Sequence, residues 1–285
     1  MRPRGHVARL EQFRRWEWAV WPEVFSIFGV GIQSYGLSKA LALLVGAFLL
    51  GRAFTRIGYD KELAHSIALW ATVWGFVGAK VYYLIANWDN FSWHLFGGSG
   101  FVWYGGLIAG SIAVIVMTRR HDLPLGRVAG AMAAPLSVAY GIGRIGCFLA
   151  GDGTYGTPTD LPWGMAFPNG VVPVDVPVHP VQLYEAAGAF LIAGILWALG
   201  RRLRPVAVFG SYLMLSGAAR LLAEMVRINP HVVLDLTEAQ LIGIASIILG
   251  AALILRGTFH PAAPVSNVSA ADPSSAVPSP HPVGR

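Results

Sequence analysis

Long apolar runs separated by short polar loops make up most of the chain. A membrane-spanning helix needs about 20 mostly apolar residues, and seven runs approach that length. They predict spans at roughly Tyr35–Leu50, Ser66–Ala86, Phe101–Met117, Val128–Leu149, Tyr184–Leu199, Val206–Val226 and Leu241–Leu255. The pattern therefore predicts an all-α integral membrane protein with about seven transmembrane helices.

Three segments fall outside these runs. Residues 1–23 form a basic N-terminal tail, and residues 259–285 form a Pro/Ser/Ala-rich tail with too few apolar side chains to fold. The loop 150–183 is long for a membrane bundle and rich in glycine and proline. We therefore expect a seven-span domain over residues 24–258, with loop 150–183 forming an extracytoplasmic arm between the fourth and fifth helices.

The composition supports a membrane protein and argues against disulfide-bonded, cysteine-metal and nucleic-acid-binding proteins. The chain is 55% hydrophobic and only 13% charged, about half the charged fraction of a typical soluble domain. A single cysteine excludes an internal disulfide and a cysteine-based metal cage, and we expect neither a metal ion nor a cofactor. The net charge of +6 comes from arginines in short clusters between apolar runs. It therefore does not indicate a nucleic-acid partner.

The positive residues of the loops predict the orientation. Lysine and arginine cluster after the first, third and fifth spans, at Arg52, Arg56, Lys61, Arg119, Arg120, Arg127, Arg201, Arg202 and Arg204. The loops 87–100 and 150–183 contain none. Because positive loops stay in the cytoplasm, we expect the N-terminus outside and the C-terminus in the cytoplasm. The N-terminal tail also carries arginines, and we expect it to lie on the membrane surface.

Several polar side chains lie at membrane depth, where a charge costs at least ~2.5–3.5 kcal/mol at a helix centre. They are Lys80 in the second span, Arg144 near the end of the fourth, His179, Gln182, Tyr184 and Glu185 at the mouth of the fifth, and Arg220, Glu224 and Arg227 near the end of the sixth. Intramembrane charges of this kind indicate a functional site.

The sixth span carries the most informative spacing. Arg220 and Glu224 are four residues apart and share a helix face, so they can form an ion pair, and Arg227 follows on the same side. Arginine binds phosphate through two parallel hydrogen bonds and stays charged when buried. A phospholipid head group is the most available anion at that depth. The residues alone therefore predict a site for a phospholipid phosphate.

Each feature also has a plainer structural interpretation. The Arg220–Glu224 pair can serve only as a contact between helices. The side chains of Lys80 and Arg227 can extend to the membrane–water interface, and the Tyr104 ring can anchor its helix at that interface. His179 can be a hydrogen-bonded loop residue. The glycines after Arg144 can serve close helix packing.

Seven short motifs, in order, resemble those of the prolipoprotein diacylglyceryl transferase family over about Tyr35 to Leu255. They are SYGL (34–37), GAKVYY (78–83), YGGLIAG (104–110), GRIGCFLAGDGTYG (143–156), HPVQLYE (179–185), ARLLAEMVR (219–227) and LTEAQLIG (236–243). The family transfers a diacylglyceryl group from phosphatidylglycerol to the lipobox cysteine of a prolipoprotein in the bacterial inner membrane. The resemblance therefore implies phosphatidylglycerol and the prolipoprotein signal peptide as partners, besides membrane lipid.

The resemblance also implies roles for individual residues. Arg144 and Arg220 would stabilise phosphate charge, and Glu224 would orient an arginine or assist proton transfer. Tyr104 stands at the position of the base, although its ordinary pKa near ~10 makes it a poor one unless an arginine lowers it. The implied substrate-binding residues are Tyr35, Lys80, Gly105, Gly106, Cys147, Gly151, Asp152, His179, Gln182, Tyr184, Glu185 and Arg227.

The chain departs from the family pattern at five positions. Cys147 and Ala150 replace asparagines, Asp152 replaces a glutamate, Lys80 an arginine and Val181 a serine. Cys147 is either a nucleophile in altered chemistry or a small buried side chain. Two other functions therefore remain open: a paralogue that uses the same lipid donor with another acceptor, and a non-catalytic phospholipid-binding protein.

Overall fold

The computed structural model describes residues 20–27, 29–90 and 100–259. Over these residues the chain forms seven long helices: α1 (Ser34–Arg56), α2 (Lys61–Ala86), α3 (Trp103–Arg120), α4 (Leu125–Ala150), α5 (Val181–Leu199), α6 (Pro205–Glu224) and α7 (Glu238–Phe259). Each predicted apolar run falls on one of these helices. The predicted tails, 1–23 and 259–285, lie almost entirely outside the described residues.

Six of the helices are long and apolar enough to cross a membrane by length and composition. The remaining helix, α3, has 18 residues and ends in Arg119 and Arg120, which shorten its apolar part. The prediction of an all-α integral membrane protein is confirmed, and the chain is a multi-pass membrane protein.

Helix α4 lies at the centre of the bundle, where it packs against α1, α5 and α6. Its sequence is rich in alanine and glycine, and small residues allow helix backbones to approach closely. At Gly146, for example, an added Cβ would overlap the side chain of Ser38 on α1. The Ser38 hydroxyl donates a hydrogen bond to the backbone oxygen of Ile142, at 2.7 Å. This packing fixes the end of α4 that carries Arg144.

Three short antiparallel hairpins lie at one end of the bundle. Strands β1 (Glu23–Ile27) and β2 (Val30–Gln33) precede α1, β3 (Met165–Phe167) and β4 (Val174–Val178) lie between α4 and α5, and β5 (His231–Val233) and β6 (Leu236–Thr237) lie between α6 and α7. The apolar periodicity did not predict them because each strand has five residues or fewer.

The predicted loop 150–183 corresponds to residues 151–180 between α4 and α5, which form a compact arm seated on the end of α4. The Tyr155 and Phe167 rings stack with their centroids 4.3 Å apart, and Phe148 of α4 packs edge-on against Phe167 at 5.7 Å. The Tyr155 hydroxyl donates to the backbone oxygen of Val172 at 3.0 Å. The predicted arm therefore has its own small apolar core, joined to the bundle by Phe148.

Candidate functional site

A buried carboxylate, Glu185, lies at the centre of the polar groups in the bundle. Its side chain is 4% exposed. Arg144 of α4 forms an ion pair with it through Nη2, Arg220 of α6 approaches its Oε1 at 2.6 Å, and Arg227 approaches its Oε2 at 3.5 Å. The Tyr140 hydroxyl also donates to Oε1, at 3.0 Å. Glu185 therefore connects α4, α5 and the end of α6.

A second carboxylate, Glu224, completes the cluster. Its Oε2 lies 3.2 Å from Arg220 Nη2 and 3.8 Å from Arg227 Nε, which confirms the ion pair predicted from the i,i+4 spacing. Its Oε1 accepts hydrogen bonds from the Thr237 hydroxyl, at 2.9 Å, and from the Asn229 amide. We call these five residues, Arg144, Glu185, Arg220, Glu224 and Arg227, the arginine cluster.

The arginine cluster has an excess of positive charge. Three guanidinium groups face two carboxylates, which leaves one positive charge. The arginine side chains are 12% (Arg144), 25% (Arg220) and 9% (Arg227) exposed. Burying charges is costly unless each is paired, so the two carboxylates hold the guanidiniums in place. Arg220 is the most accessible of the three.

Spacing on α4 orients the first of these arginines. Tyr140 and Arg144 are four residues apart and therefore lie on one face of the helix. The Arg144 guanidinium carbon lies 5.6 Å from the centre of the Tyr140 ring, a distance at which a cation is attracted to the ring face. The Tyr140 hydroxyl binds Glu185, so one tyrosine supports both members of the ion pair.

A cavity of about 300 Å³ opens beside the arginine cluster. It is lined by Tyr104, Arg220, Arg227, Asn229, Pro230, Val232, Thr237, Glu238 and Ala239. In this cavity the Tyr104 hydroxyl donates a hydrogen bond to Glu238 Oε2 at 2.6 Å. The predicted base position and two of the arginines therefore share one space.

The motif GRIGCFLAGDGTYG (143–156), which we call the signature stretch, includes Arg144 and runs to the end of α4 and into the following loop. Arg144 Nη1 lies 3.6 Å from Cys147 Sγ, and Cys147 is buried. Helix α4 then ends at Ala150, and the next residue, Gly151, has a φ of +60°, which favours glycine. Asp152 Oδ1 accepts from the backbone N–H and the hydroxyl of Thr154, at 3.1 and 2.6 Å. Cys147 thus contacts an arginine, whereas Gly151 and Asp152 shape the turn that follows.

Tyr35 lies in the first turn of α1, three residues before Ser38, which packs against Gly146 of α4. Lys39, one turn further along α1, holds its Nζ 4.8 Å from the centre of the Tyr35 ring and lies against Gly143 of α4. Lys39 adds a cation beside the signature stretch.

The residues predicted at the mouth of the fifth span divide into two groups. Tyr184 of α5 contacts the arm, because its hydroxyl accepts a hydrogen bond from Trp163 Nε1 at 2.7 Å and lies 3.3 Å from His179 Nδ1. Gln182 and Glu185 are three residues apart and share a face of α5. Gln182 is fully buried, and neither atom of its amide has a hydrogen-bond partner among the described residues.

The remaining predicted residues lie where α2 meets α3. A Cβ at Gly105 would overlap the backbone oxygen of Gly78, and one at Gly106 would lie 3.1 Å from that of Gly75, so both glycines allow the two backbones to pack closely. Lys80 Nζ lies 5.3 Å and 5.1 Å from the centres of the Tyr83 and Phe101 rings. A role for these three residues in substrate binding stays a prediction.

Sequence reasoning missed Lys39, Tyr140 and Glu238. Lys39 is a charged residue inside the first apolar run and carried the signal used for Lys80 and Arg220. Glu238 lies three residues before the last predicted run, so it did not carry that signal. Tyr140 carried none, because tyrosine is common near span ends. In the described part of the chain no group of three or more His, Cys, Asp or Glu side chains could hold a metal ion.

Comparison with known proteins agrees with this architecture. The family model described as "Prolipoprotein diacylglyceryl transferase" matches residues 22–256. The phosphatidylglycerol–prolipoprotein diacylglyceryl transferase of Clostridium tetani is 33% identical over 236 residues, which cover 80% of this chain and 94% of that protein. The enzymes with the same name in Marinomonas sp. and Finegoldia magna are 32% and 30% identical, over 83% and 81% of this chain and 92% and 94% of their own lengths. The chain therefore belongs to the prolipoprotein diacylglyceryl transferase family.

Proposed function

We propose that the chain transfers the diacylglyceryl group of phosphatidylglycerol to the lipobox cysteine thiol of a prolipoprotein. The observation that carries this proposal is the arginine cluster, in which three guanidiniums face two carboxylates and one positive charge is left over. A phosphodiester is an anion, and guanidinium groups bind phosphate through charged hydrogen bonds. The names of the relatives support the choice of donor and acceptor.

The cluster suits the charge changes of such a displacement. The thiolate sulfur forms a bond to the terminal glycerol carbon of the diacylglyceryl group, and the bond from that carbon to the phosphate oxygen breaks. Its electron pair stays on the phosphate, so glycerol phosphate leaves with more negative charge than the diester had. Fixed positive groups that already surround this oxygen stabilise the transition state. Arg220, the most exposed of the three arginines, is the one we expect to bind the phosphate directly.

The two carboxylates keep the guanidiniums in position and leave some of the guanidinium N–H donors available. A guanidinium has five N–H donors. Arg220 binds Glu185 through Nη1 and Glu224 through Nη2, and its remaining donors can bind one or two phosphate oxygens. Arg144 and Arg227 share the charge of Glu185 with it. A conservative change of Arg220 to lysine would remove this simultaneous bridging.

The buried amide of Gln182 supports the proposal that a polar head group binds near the arginine cluster. Its amide is buried without a partner among the described residues, and a buried unpaired amide costs about 1–3 kcal/mol. It lies one turn before Glu185 on the same face of α5. A glycerol hydroxyl has both a donor and an acceptor to offer, so the head group of phosphatidylglycerol complements this side chain.

We further propose that the protein lies in the bacterial inner membrane with its N-terminus outside and its C-terminus in the cytoplasm. The alternation of positive loops supports this orientation. The arm and the arginine cluster would then face the outer leaflet, where the signal peptide of an exported prolipoprotein emerges.

A second candidate function keeps the donor and changes the acceptor. Cys147, Ala150 and Val181 alter the polarity of the signature and of the start of α5, while the three arginines remain. Such a paralogue would consume phosphatidylglycerol without modifying a lipobox peptide.

The test uses purified protein in vesicles of phosphatidylglycerol with a lipobox peptide, followed by mass spectrometry. We expect a peptide mass increased by one diacylglyceryl group, and no change in a matched peptide whose cysteine is replaced by serine. Lipid consumption without a thioether product would favour the other acceptor. Lipid binding without any turnover would favour a non-catalytic lipid-binding protein and overturn the proposal.

A further inference from the structure

We propose that Glu238 acts through Tyr104 as the acceptor of the thiol proton. This inference rests on the proposed function, because it assigns the step that makes the attacking thiolate. Glu238 is the first residue of α7, and Tyr104 lies in the first turn of α3. They are 134 positions apart in sequence, and the Tyr104 hydroxyl lies 2.6 Å from Glu238 Oε2.

The direction of this hydrogen bond decides what Tyr104 can do. A phenol has one proton to donate, and a carboxylate only accepts. With its proton directed at Glu238, the phenolic oxygen keeps its lone pairs for another donor. The S–H group of an incoming cysteine is such a donor. Glu238 therefore turns the Tyr104 hydroxyl into a fixed acceptor.

Local structure fixes the position of Glu238 at the start of α7. The Thr237 N–H donates to Gln240 Oε1 at 2.9 Å, and the Gln240 N–H donates to Thr237 Oγ1 at 3.2 Å, which forms a capping box. Glu238 thus lies at the positive end of α7, where a negative charge is favoured. The Thr237 hydroxyl also binds Glu224, so the start of α7 is fixed to the arginine cluster.

The pair faces the arginines across one cavity. Tyr104 and Glu238 line the space of about 300 Å³ that Arg220 and Arg227 also line. A thiol that reaches the Tyr104 oxygen is therefore close to the guanidiniums that would hold the phosphate. Deprotonation of the nucleophile and stabilisation of the leaving group can occur in the same space.

The proton transfer balances without an additional reactant. The S–H bond breaks and its proton moves to the phenolic oxygen, while the phenolic proton moves to Glu238, which becomes a carboxylic acid. The electron pair left on sulfur forms the new C–S bond, and the electron pair of the broken C–O bond stays on the phosphate. The acid then returns its proton to the departing phosphate or to water, and no atom is oxidised or reduced. Tyr104 stays neutral throughout, so its weakness as a base does not limit the step.

Glu238→Gln tests the assignment. A glutamine oxygen still accepts the hydrogen bond from Tyr104, but it cannot take up the proton. Since acid–base catalysis contributes about 10²–10⁴-fold, we expect kcat with the lipobox peptide to fall at least about 100-fold, while KM for phosphatidylglycerol changes less than about twofold. The matched control is Glu62→Gln, because Glu62 is exposed at the opposite end of the bundle, and it should transfer at the wild-type rate.

A selenocysteine peptide separates proton transfer from structural damage. A selenol is already ionised at neutral pH and needs no proton acceptor, so it should restore the Glu238→Gln rate to within about tenfold of wild type. The double variant Tyr104→Phe/Glu238→Gln should be no slower than either single variant, because both changes interrupt one relay. Three results would overturn the inference. Glu238→Gln could transfer to the thiol peptide at the wild-type rate, or the selenocysteine peptide could fail to restore its rate. The third is a double variant whose rate loss equals the product of the losses of the two single variants. Absence of thioether formation by the wild type would instead overturn the proposed function, and the inference with it.

Discussion

Arg220 on α6 and Glu185 on α5 form an ion pair with 2.6 Å between Nη1 and Oε1. The same carboxylate pairs with Arg144 and Arg227, so Glu185 joins an arginine of α4 to two arginines near the end of α6. Its removal would leave three buried guanidiniums with only Glu224 to balance them. Glu185 is therefore as important to the cluster as any arginine.

Replacing Glu185 by alanine should destabilise the protein. Breaking a buried charge pair by removing one partner costs about 3–5 kcal/mol, and we expect a clear fall in Tm for Glu185→Ala in detergent. Glu62→Ala serves as the control, since Glu62 pairs only at the exposed surface and should leave Tm unchanged. Equal Tm values for the two variants would show that Glu185 does not hold the cluster together.

Cys147 should act as a packed side chain and not as a nucleophile. It is buried, and its sulfur accepts a hydrogen bond from Arg144. We therefore expect Cys147→Ala to keep transfer activity within about tenfold of wild type, with the loss due to one weak contact. Cys147→Asn, which supplies the family's usual amide, should be at least as active as Cys147→Ala. Complete loss of turnover in both variants, with the protein folded, would assign a covalent role to the thiol.

Gly151→Ala should weaken the junction between α4 and the arm. Gly151 has a φ of +60°, and an added Cβ would lie 2.6 Å from the Cα of Gly170. The left-handed conformation alone costs a non-glycine residue about 1–2 kcal/mol, so Tm should fall. Gly188→Ala is the matched control, since among the described residues no atom beyond its chain neighbours and its own helix backbone lies within 4 Å of its added Cβ, and alanine favours the helix. A fall in Tm for Gly188→Ala as large as that for Gly151→Ala would contradict this explanation.

Tyr155 should make the stability of the arm depend on alkaline pH. Burial, with a smaller contribution from Asp152, raises the pKa of Tyr155 to about 12, above the value near ~10 of an unfolded tyrosine. The folded state therefore binds this proton more tightly. Its contribution to stability is complete below about pH 10 and is lost as the pH rises through about 12. The decrease in Tm over that interval should be smaller in Tyr155→Phe than in wild type, and equal decreases would exclude Tyr155 as the cause.

Most of the helical architecture could be predicted from the sequence, because each helix contains an apolar run and six of the seven reach the length that a membrane requires. The Arg220–Glu224 pair could also be predicted, since four residues along a helix bring two side chains together. Short hairpins such as the one formed by β5 and β6 could not be predicted, because strands of two or three residues show no periodicity.

The centre of the site could not be predicted from spacing. Glu185 pairs with arginines on other helices, and such contacts depend on the packing of α4, α5 and α6. The same holds for Tyr104 and Glu238, which meet only because α3 and α7 begin at the same end of the bundle. Sequence patterns identify which side chains are unusual at membrane depth, but only the fold determines which of them face each other.

Thioether formation by Arg144→Ala, compared with wild type in phosphatidylglycerol vesicles, tests the role of the arginine cluster most directly. Arg144 pairs with Glu185 and contacts Cys147, and it stands at the arginine of the family signature. We predict that Arg144→Ala inserts into the membrane and gives no diacylglyceryl peptide, while Arg201→Ala, at an exposed turn after α5, transfers normally. A wild-type yield of diacylglyceryl peptide from inserted Arg144→Ala protein would contradict the assignment of the cluster as the phosphate site.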